Sequence, residues 1–284
     1  MNLDQTTQDT LINILRRTGQ EVVMPYFRQL DSNHVQQKTS RSDLVTIADQ
    51  ASEDFISKEI RRCFPNWAIV GEEAVAADPS VTDHIARADV CVIIDPIDGT
   101  WNFAHGLSDF GIILAVVVKG VTRFGILYDP VNDDWVYANL GEGAYYQATD
   151  LKERGTYFAP EKPPIKLEIS QDMPLEQQAG IMSIHSYQGA RKQEYAIKAT
   201  RFARINNLPS CPAYRQLALG HFQFTLTYKM MPWDHAAGVL IFTEAGGVCR
   251  LFSGEEYHPS MLDGEMLAAQ SEADWQALAA HFRQ

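Results

Sequence analysis

The chain has few of the features that would identify several common classes of protein. Its 284 residues include only four cysteines, which are far apart and form no Cys-x-x-Cys pair. We therefore expect reduced, buried thiols rather than a disulfide framework or a cysteine zinc site. The chain has 24 lysines and arginines against 36 aspartates and glutamates, for a formal net charge of −12. Because nucleic acids and anionic membranes attract basic surfaces, we expect neither as a partner.

The sequence also lacks targeting segments and the common nucleotide and zinc motifs. Its beginning, MNLDQTTQDTLINILRR, has neither the basic start nor the apolar run of a signal peptide. No apolar run approaches the roughly 20 residues that span a bilayer, so we expect a cytoplasmic protein. The motifs G-x-x-x-x-G-K-[ST], H-E-x-x-H and a G-x-G-x-x-G after a strand are missing too.

The chain has enough apolar residues to form a large core, and its sequence patterns predict helices and strands in a definite order. It is 45% hydrophobic, and its first half predicts a helix near residues 7–30 and a second from Thr46, where Thr46 and Asp49 resemble a capping box. Six closely spaced apolar runs then predict a mostly antiparallel sheet. After a polar, proline-rich stretch, strands and helices alternate. We therefore predict an α+β fold with an N-terminal lobe, 1–152, and a C-terminal lobe, 153–284.

Acidic residues stand where predicted strands end and predicted helices begin. These are Asp49, Glu72, Glu73, Asp95, Asp98 and Asp234. Each has a local explanation, since carboxylates favour turns and helix starts. If they converge, however, their burial would be costly, and no cluster of lysines or arginines accompanies them in the sequence. A hard divalent cation such as Mg²⁺ would compensate them and would attract phosphate to an acidic protein. His235, beside Asp234, is expected to be structural.

Three motifs resemble the signatures of the inositol monophosphatase family in identity, order and approximate spacing. They are GEE (71–73), DPIDGT (95–100) and WDHAAG (233–238), and DLVTIADQ (43–50) and EAGG (244–247) resemble further family segments. The similarity runs from about residue 38 to residue 247. It implies a layered αβαβα sandwich of the type shared with fructose-1,6-bisphosphatase. It also implies a lithium-sensitive, magnesium-dependent phosphatase that acts on a small phosphorylated metabolite and forms a homodimer.

The resemblance further implies a set of metal ligands. Glu72, Asp95 and the backbone carbonyl of Ile97 would hold one Mg²⁺. Asp95, Asp98 and Asp234 would hold a second. A third, weaker ion would lie near Glu72. If this expectation is correct, the carboxylates at the end of the predicted strand that contains Asp95 and Asp98 bind metal ions.

Catalytic and substrate-binding roles follow from the same resemblance. Asp49 and Thr100 would orient and deprotonate the attacking water, with Glu72 counted among the catalytic residues. Gly99 and Thr100 would offer backbone N–H groups to the phosphate. The complete expected substrate-binding set is Ile97, Asp98, Gly99, Thr100, Thr227 and Asp234.

The expected substrate wall departs from the family pattern. Family members that act on inositol phosphate usually carry a glutamate where this chain has Thr227, and the usual Gly-Ser-Ala segment is altered in LPSCPAYRQLALG, 208–220. An inositol-monophosphatase-like monoesterase is expected, with sugar phosphates, fructose 1,6-bisphosphate, histidinol phosphate and nucleotide bisphosphates as alternative substrates. A haloacid-dehalogenase phosphatase is disfavoured, because that class needs two aspartates separated by one residue, whereas Asp95 and Asp98 are separated by two residues, one of them a proline. A partner-binding regulatory protein on the same fold is the alternative from a different class.

Overall fold

A computed structural model describes residues 2–38, 44–150, 161–169 and 173–283. The first residue of DLVTIADQ and the predicted lobe boundary at 152/153 lie outside these ranges, so the division into two lobes stays a prediction. Within the ranges, no helix is both long and apolar enough to cross a bilayer. The four cysteines are unpaired, two of them buried and two partly buried.

The N-terminal elements agree with the predicted order but not with every bound. They are α1 (Gln5–Thr18), β1 (Val35–Gln37), β2 (Leu44–Thr46) and α2 (Ile47–Cys63). The first helix ends earlier than predicted, because α1 passes into a π-helical turn over Gly19–Val23. The capping box at the start of α2 is present: the Thr46 side chain accepts a backbone N–H, and Asp49 accepts the N–H of Thr46.

A seven-stranded sheet forms the centre of the first half. Its strands are β3 (Ala68–Gly71), β4 (Val90–Asp98), β5 (Gly111–Val118), β6 (Val121–Asp129), β7 (Asp134–Asn139), β8 (Ala144–Ala148) and β9 (Ile165–Leu167). They are adjacent in that order. Among the described strands of this sheet, only β3 and β4 pair in parallel, so the prediction of a mostly antiparallel sheet is confirmed. Short helices follow β3 and β4: α3 (Glu72–Ala77), α4 (Asp83–Arg87) and α5 (Thr100–Ala104).

In the part of the second half that the structure describes, the main elements are a five-stranded mixed sheet and four α-helices. The strands are β10 (Ala179–Met182), β11 (Arg204–Asn206), β12 (Phe224–Lys229), β13 (Val248–Leu251) and β14 (Asp263–Ala269), and the helices are α6 (Gly189–Ala199), α7 (Ser210–Ala218), α8 (Pro232–Glu244) and α9 (Glu272–Arg283). Strand β14 pairs with both β12 and β13. The sequence did not predict this strand, because DGEMLAA has little β propensity and is held by its two neighbours.

Three clusters of buried residues hold five layers of the described structure together. Strand β4 is buried on both faces: Val92 and Ile94 contact the cluster of α1 and α2, while Cys91 and Ile93 contact the cluster of α7 and α8. Helices α7 and α8 lie between the two sheets, and α6 and α9 cover the outer face of the five-stranded sheet. The order helix, sheet, helix, sheet, helix confirms the αβαβα sandwich.

Candidate active site

The chain changes direction sharply where β4 meets α5. The pairing of β4 with β5 is irregular between Asp95 and Asp98, where Pro96 has no N–H to donate. Gly99 then adopts a left-handed conformation with φ of 89° at the start of α5. A Cβ there would also come within 2.8 Å of the Pro209 side chain, so only glycine fits the turn. This geometry lets one strand end present two carboxylates to the same cavity.

Three aspartates converge at this turn. One carboxylate oxygen from each of Asp95, Asp98 and Asp234 lies within 4.8 Å of the other two; we call these three residues the acidic cluster. Asp95 and Asp98 are only 2% and 6% exposed. Asp234 is brought to them by the first turn of α8, which begins at Pro232. The fold thus assembles two of the sequence motifs into one group of oxygen donors.

The electrostatics of the acidic cluster favour a bound cation. Burial raises the pKa of Asp95 well above its usual value, and the charges of Glu72, Asp98 and Asp234 raise it further. Burial likewise raises the pKa of Asp98 and raises that of Asp234 to about 6. Among the described residues, no lysine or arginine lies within ion-pair distance of the cluster, although the charge of Lys229 opposes the rise in the pKa of Asp234. Buried, mutually repelling carboxylate oxygens of this kind are suited to a hard divalent cation.

Asp98 is oriented by the start of α7. Its two carboxylate oxygens accept the backbone N–H groups of Ser210 (3.2 Å) and Cys211. These hydrogen bonds oppose the effect of burial on the pKa of Asp98. Each oxygen retains a lone pair, so the arrangement positions the side chain without using all of its capacity to bind a metal.

Asp49 and Thr100 form the second part of the site. Asp49 is fully buried, and its Oδ1 accepts the Thr100 hydroxyl at 2.9 Å, while its Oδ2 accepts the N–H and the hydroxyl of Thr46. Thr100 Oγ1 also lies 3.1 Å from the Ile97 carbonyl. Burial raises the pKa of Asp49 to about 7, against the effect of its hydrogen bonds with Thr46 and Thr100. A carboxylate held on a threonine hydroxyl is suited to receiving a proton through that hydroxyl.

Glu72 is placed differently from the sequence expectation. It begins α3 rather than ending a strand, and its Oε1 is 3.0 Å from Lys38 Nζ, which is also 2.6 Å from Glu73 Oε1. The expectation that the acidic motifs lack basic partners was therefore wrong for these two glutamates. Burial alone would lower the pKa of Lys38, but the two carboxylates hold it above its ordinary value. The pairing depends on tertiary contact, because Lys38 and Glu72 are 34 residues apart.

Sequence reasoning missed Glu53, which supports the GEE motif from α2. Its carboxylate accepts the N–H groups of Glu73 (2.8 Å) and Ala74 (2.9 Å) and so caps α3. A Cβ on Gly71 would lie 2.2 Å from the Glu53 carboxyl carbon. The glycine of the motif is thus required for close packing, and nothing in the local sequence around Glu53 indicates this role.

His235 has a structural role, in agreement with the expectation. Its Nε2 lies 2.6 Å from the Lys229 carbonyl, and its Nδ1 lies 3.0 Å from the Tyr214 hydroxyl. With Nε2–H as the donor, Nδ1 accepts the tyrosine proton. Burial lowers the pKa of His235 to about 4, so the ring is neutral and holds the end of β12 against α8.

The acidic cluster lies where two cavities of about 570 Å³ and 540 Å³ meet. The residues that line both are Glu72, Asp98, Gly99, Thr100, Lys229 and Asp234. Asp95 and Ile97 line the smaller cavity, and Thr227 lines the larger one. The larger cavity also includes Ser210 from the segment 208–220, and residues that the sequence did not indicate, namely Ser183, His185, Asn207, Tyr228 and Lys229. They come from β12, from the segment between β10 and α6, and from the segment that joins β11 to the start of α7, which only the fold brings together.

Comparison with known proteins places the chain in a family. A sequence profile of the inositol monophosphatase family matches residues 4–284. The fructose-1,6-bisphosphatase/inositol-1-monophosphatase of Thermotoga maritima is 32% identical over 248 residues, with coverage of 87% of this chain and 86% of that protein. Nus factor SuhB of Pasteurella multocida is 30% identical over 269 residues, with coverage of 91% and 89%. The solved structure of Thermotoga maritima IMPase matches with a TM-score of 0.79 and 28% identity over 98% of this chain and 97% of that one. This chain therefore belongs to the inositol monophosphatase family and has its phosphatase fold.

Proposed function

We propose that the chain is a magnesium-dependent phosphatase that hydrolyses small phosphate monoesters with a metal-activated water. The observation that carries the proposal is the position of the acidic cluster. Its three carboxylates converge within 4.8 Å of one another at the junction of two cavities that also expose Thr100. Family membership supports the same chemistry.

The residues present fit the proposed ions. Glu72, Asp95 and the Ile97 carbonyl would hold one Mg²⁺, and the acidic cluster would hold a second. A third, weaker ion would lie near Glu72, whose present partner is the Lys38 ammonium. Bound Mg²⁺ would supply charge neutralisation, ligand positions for phosphate oxygens and a lower pKa for a water ligand.

The chain's own residues would move the proton and orient the phosphate. Thr100 Oγ1 would accept a proton from the attacking water as it passes its own to Asp49, along the 2.9 Å hydrogen bond between them. The backbone N–H groups of Gly99 and Thr100 would hold the phosphate in line with the water. Because the reaction needs little covalent participation from the protein, positioning and electrostatics would supply most of the rate enhancement.

The substrate end of the cavity supports a broad or non-inositol preference. Thr227 offers a hydroxyl, which lies 3.4 Å from the Lys229 carbonyl, and has no carboxylate to accept two adjacent ring hydroxyls. Inositol phosphate, sugar phosphates, fructose 1,6-bisphosphate, histidinol phosphate and nucleotide bisphosphates are the candidate substrates. The name of the relative from Thermotoga maritima, fructose-1,6-bisphosphatase/inositol-1-monophosphatase, refers to two of these substrates.

The test is phosphate release by the purified protein from a panel of these esters, ranked by kcat/KM. We expect no release after exhaustive chelation and recovery on addition of Mg²⁺. A control with the chelator already saturated by Mg²⁺ separates metal removal from any other effect of the chelator. Full activity in the chelated protein would refute a metal-dependent mechanism.

A second candidate function is binding to a protein partner in the cytoplasm. The observation that favours it is the 30% identity to a protein named Nus factor SuhB. Asp95→Asn separates the two functions, because it removes a proposed metal ligand without altering the outer surface. If partner binding is the function, phosphate release is absent in the wild type and the variant still binds the partner.

A homodimer is proposed from the resemblance to the family alone. Measuring the molecular mass of the protein in solution tests it.

A further inference from the structure

Helix α7 begins with a sequence that leaves few backbone donors. The first four N–H groups of an α-helix have no partner inside it, and at the start of α7 two of the four residues are prolines, Pro209 and Pro212, which carry no N–H. The other two N–H groups, of Ser210 and Cys211, both donate to the carboxylate of Asp98. Pro209, which precedes the helix, has no polar side chain with which to cap it. Asp98 therefore receives the N–H groups that this helix end has to offer.

The orientation of Asp98 thus depends on where α7 lies relative to the seven-stranded sheet. Asp98 is the last residue of β4 in that sheet, whereas the N–H groups that hold it belong to a helix between the two sheets. Because a hydrogen bond weakens steeply when its angle departs from the preferred range, a small shift of the helix would leave the carboxylate less firmly held. The contacts that fix α7 to this sheet therefore matter to the proposed metal site.

Arg215 attaches α7 to the sheet about one helical turn after its start. Its side chain is only 8% exposed. Its Nη1 donates to the Leu127 carbonyl at 3.0 Å and lies 3.3 Å from the Asp134 carbonyl. Its Nη2 donates to the Asp134 carboxylate and lies 3.9 Å from Asp129 Oδ2. Since these partners belong to β6 and β7, the guanidinium contacts both strands beside the turn that joins them, residues 129–134, which we call the β6–β7 turn.

The other contacts of α7 differ in kind. Cys211 lies four residues before Arg215 and therefore on the same face of the helix, and a Cβ on Gly111 of β5 would lie 2.3 Å from its Sγ. This contact with the sheet is apolar packing. The Tyr214 hydroxyl lies 3.0 Å from His235 Nδ1 and attaches α7 to α8. Arg215 thus supplies a charged, directional attachment of the helix to the sheet that carries Asp98.

We propose that Arg215 is a positioning residue for the metal site: it holds α7 where the first two N–H groups of the helix orient the carboxylate of Asp98. The inference rests on the proposed function, because it assigns a bound Mg²⁺ to that carboxylate. Arg215 lines neither cavity, so it acts through the helix. Arginine is suited to this role, because its planar set of donors fixes an orientation that a single ammonium group does not.

The chain offers a matched control at the same turn. Arg16 of α1 has a side chain that is 7% exposed, and its guanidinium lies 3.0 Å from Asp133 Oδ2 and 2.8 Å from Glu161 Oε1. Like Arg215, it is a buried arginine paired with an aspartate of the β6–β7 turn. Its helix, however, lies on the other face of the seven-stranded sheet. Removing the Arg16 guanidinium should destabilise the fold without displacing α7.

The experiment measures Mg²⁺ binding by titration calorimetry without substrate, so that the result does not depend on turnover. The variants are Arg215→Met and Arg215→Lys, and the controls are Arg16→Met and Arg16→Lys. Hydrogen exchange of the Ser210 and Cys211 amides in chelated protein reports on the two hydrogen bonds directly. Circular dichroism and the melting temperature establish that each variant is folded at the working temperature. Asp134→Asn removes the charged partner without altering α7, and it replaces any Arg215 variant that does not fold.

We expect Arg215→Met to weaken Mg²⁺ binding about tenfold and to speed exchange of the two amides by about tenfold or more, because part of a charged hydrogen bond is lost. Arg215→Lys should recover part of this loss, since it keeps the charge but not the planar set of donors. Arg16→Met should lower the melting temperature similarly and leave the Mg²⁺ affinity within about twofold of the wild type. In turnover assays, Arg215→Met should raise the Mg²⁺ concentration for half-maximal rate more than it raises the KM for the ester.

Two results would overturn the inference. The first is wild-type Mg²⁺ affinity or wild-type amide exchange in Arg215→Met. The second is an equal loss of Mg²⁺ affinity in Arg16→Met, because the effect would then follow general stability. If the wild type binds no Mg²⁺, the proposed function fails separately, and exchange at Ser210 and Cys211 decides the inference. Faster exchange in the Arg215 variants alone supports the positioning of Asp98, and unchanged exchange overturns it.

Discussion

Replacing Asp95 with asparagine should stabilise the metal-free protein and remove its stabilisation by Mg²⁺. Asp95 is 2% exposed, and the charges of Glu72, Asp98, Asp234 and Asp49 all raise its pKa in addition to the effect of burial. Asparagine has nearly the same shape and no charge. Its side-chain oxygen can still accept the Ile97 N–H, which lies 3.1 Å from Asp95 Oδ1. The substitution thus removes the repulsion and keeps the local hydrogen bond.

The size of the stabilisation follows from proton linkage. A buried carboxyl group whose pKa exceeds the pH takes up a proton. The free energy by which it destabilises the folded state at pH 7, compared with a group of ordinary pKa 3.8, is therefore at most about 4 kcal/mol. For Asp234, whose pKa is about 6, the corresponding cost is about 3 kcal/mol. Since the repulsion is shared between neighbours, we expect Asp95→Asn to raise the free energy of unfolding of the metal-free protein by about 2–4 kcal/mol.

The pH dependence gives this prediction a definite sign. The pKa of Asp95 is raised in the folded state. The destabilisation caused by this carboxyl group is therefore complete above its folded-state pKa, and it disappears as the pH falls towards its pKa in the unfolded chain. Over this range the folded wild type binds more protons than the unfolded chain. The advantage of the variant should therefore shrink by up to about 1.4 kcal/mol for each pH unit between pH 7 and pH 4. Comparing the variant with the wild type cancels the opposite contribution of buried His235, whose pKa is lowered.

The assay is urea unfolding of chelated protein at several pH values, repeated with Mg²⁺. At 100 times its dissociation constant, Mg²⁺ should stabilise the wild type by about 2.7 kcal/mol and the variant much less, so the stability difference between the two proteins contracts or reverses. The same substitution should lower kcat by roughly 10³-fold. Asp83→Asn is the control, since Asp83 is exposed in a surface pair with Arg87 and should change stability by less than about 0.5 kcal/mol.

Two results would refute the reasoning. If metal-free Asp95→Asn were no more stable than the wild type at pH 7, the acidic cluster would not be the site of uncompensated charge. If Mg²⁺ stabilised both proteins equally, Asp95 would not be a metal ligand.

Three further predictions test other parts of the site. Gly71→Ala should destabilise the protein by about 2 kcal/mol or more and weaken metal binding, because its Cβ would meet the Glu53 carboxylate at 2.2–2.5 Å; wild-type stability and Mg²⁺ affinity in this variant would contradict the packing argument. Thr227→Glu should raise the kcat/KM ratio of inositol 1-phosphate to a generic ester about 10- to 100-fold, and an unchanged ratio would place inositol recognition elsewhere. Li⁺ should inhibit turnover at limiting Mg²⁺ by occupying the acidic cluster, and unaltered steady-state rates at high Li⁺ would count against that site.

Much of the fold was predictable from local patterns. The apolar runs that became β4 to β7 are largely buried in the sheet and that of β8 is partly buried. Their close spacing allowed little besides antiparallel pairing. The capping box at Thr46 and Asp49 was also predictable, because both partners lie within one helical turn. Strand β14 was not predictable, because its sequence DGEMLAA has no β-branched or aromatic residue and its conformation depends on the neighbouring strands.

The same division applies to the candidate site. The sequence by itself identified the acidic residues near strand ends and helix starts, although it placed Glu72 at the end of a strand and not at the start of α3. Its motifs also identified the family. Only the tertiary structure decided that Asp234 joins Asp95 and Asp98 within 4.8 Å, that Lys38 pairs with Glu72, and that Lys229 lines the cavity beside Thr227. The physical reason is that capping, turns and amphipathic patterns act over a few residues. The distances between charged side chains depend instead on how whole sheets and helices pack.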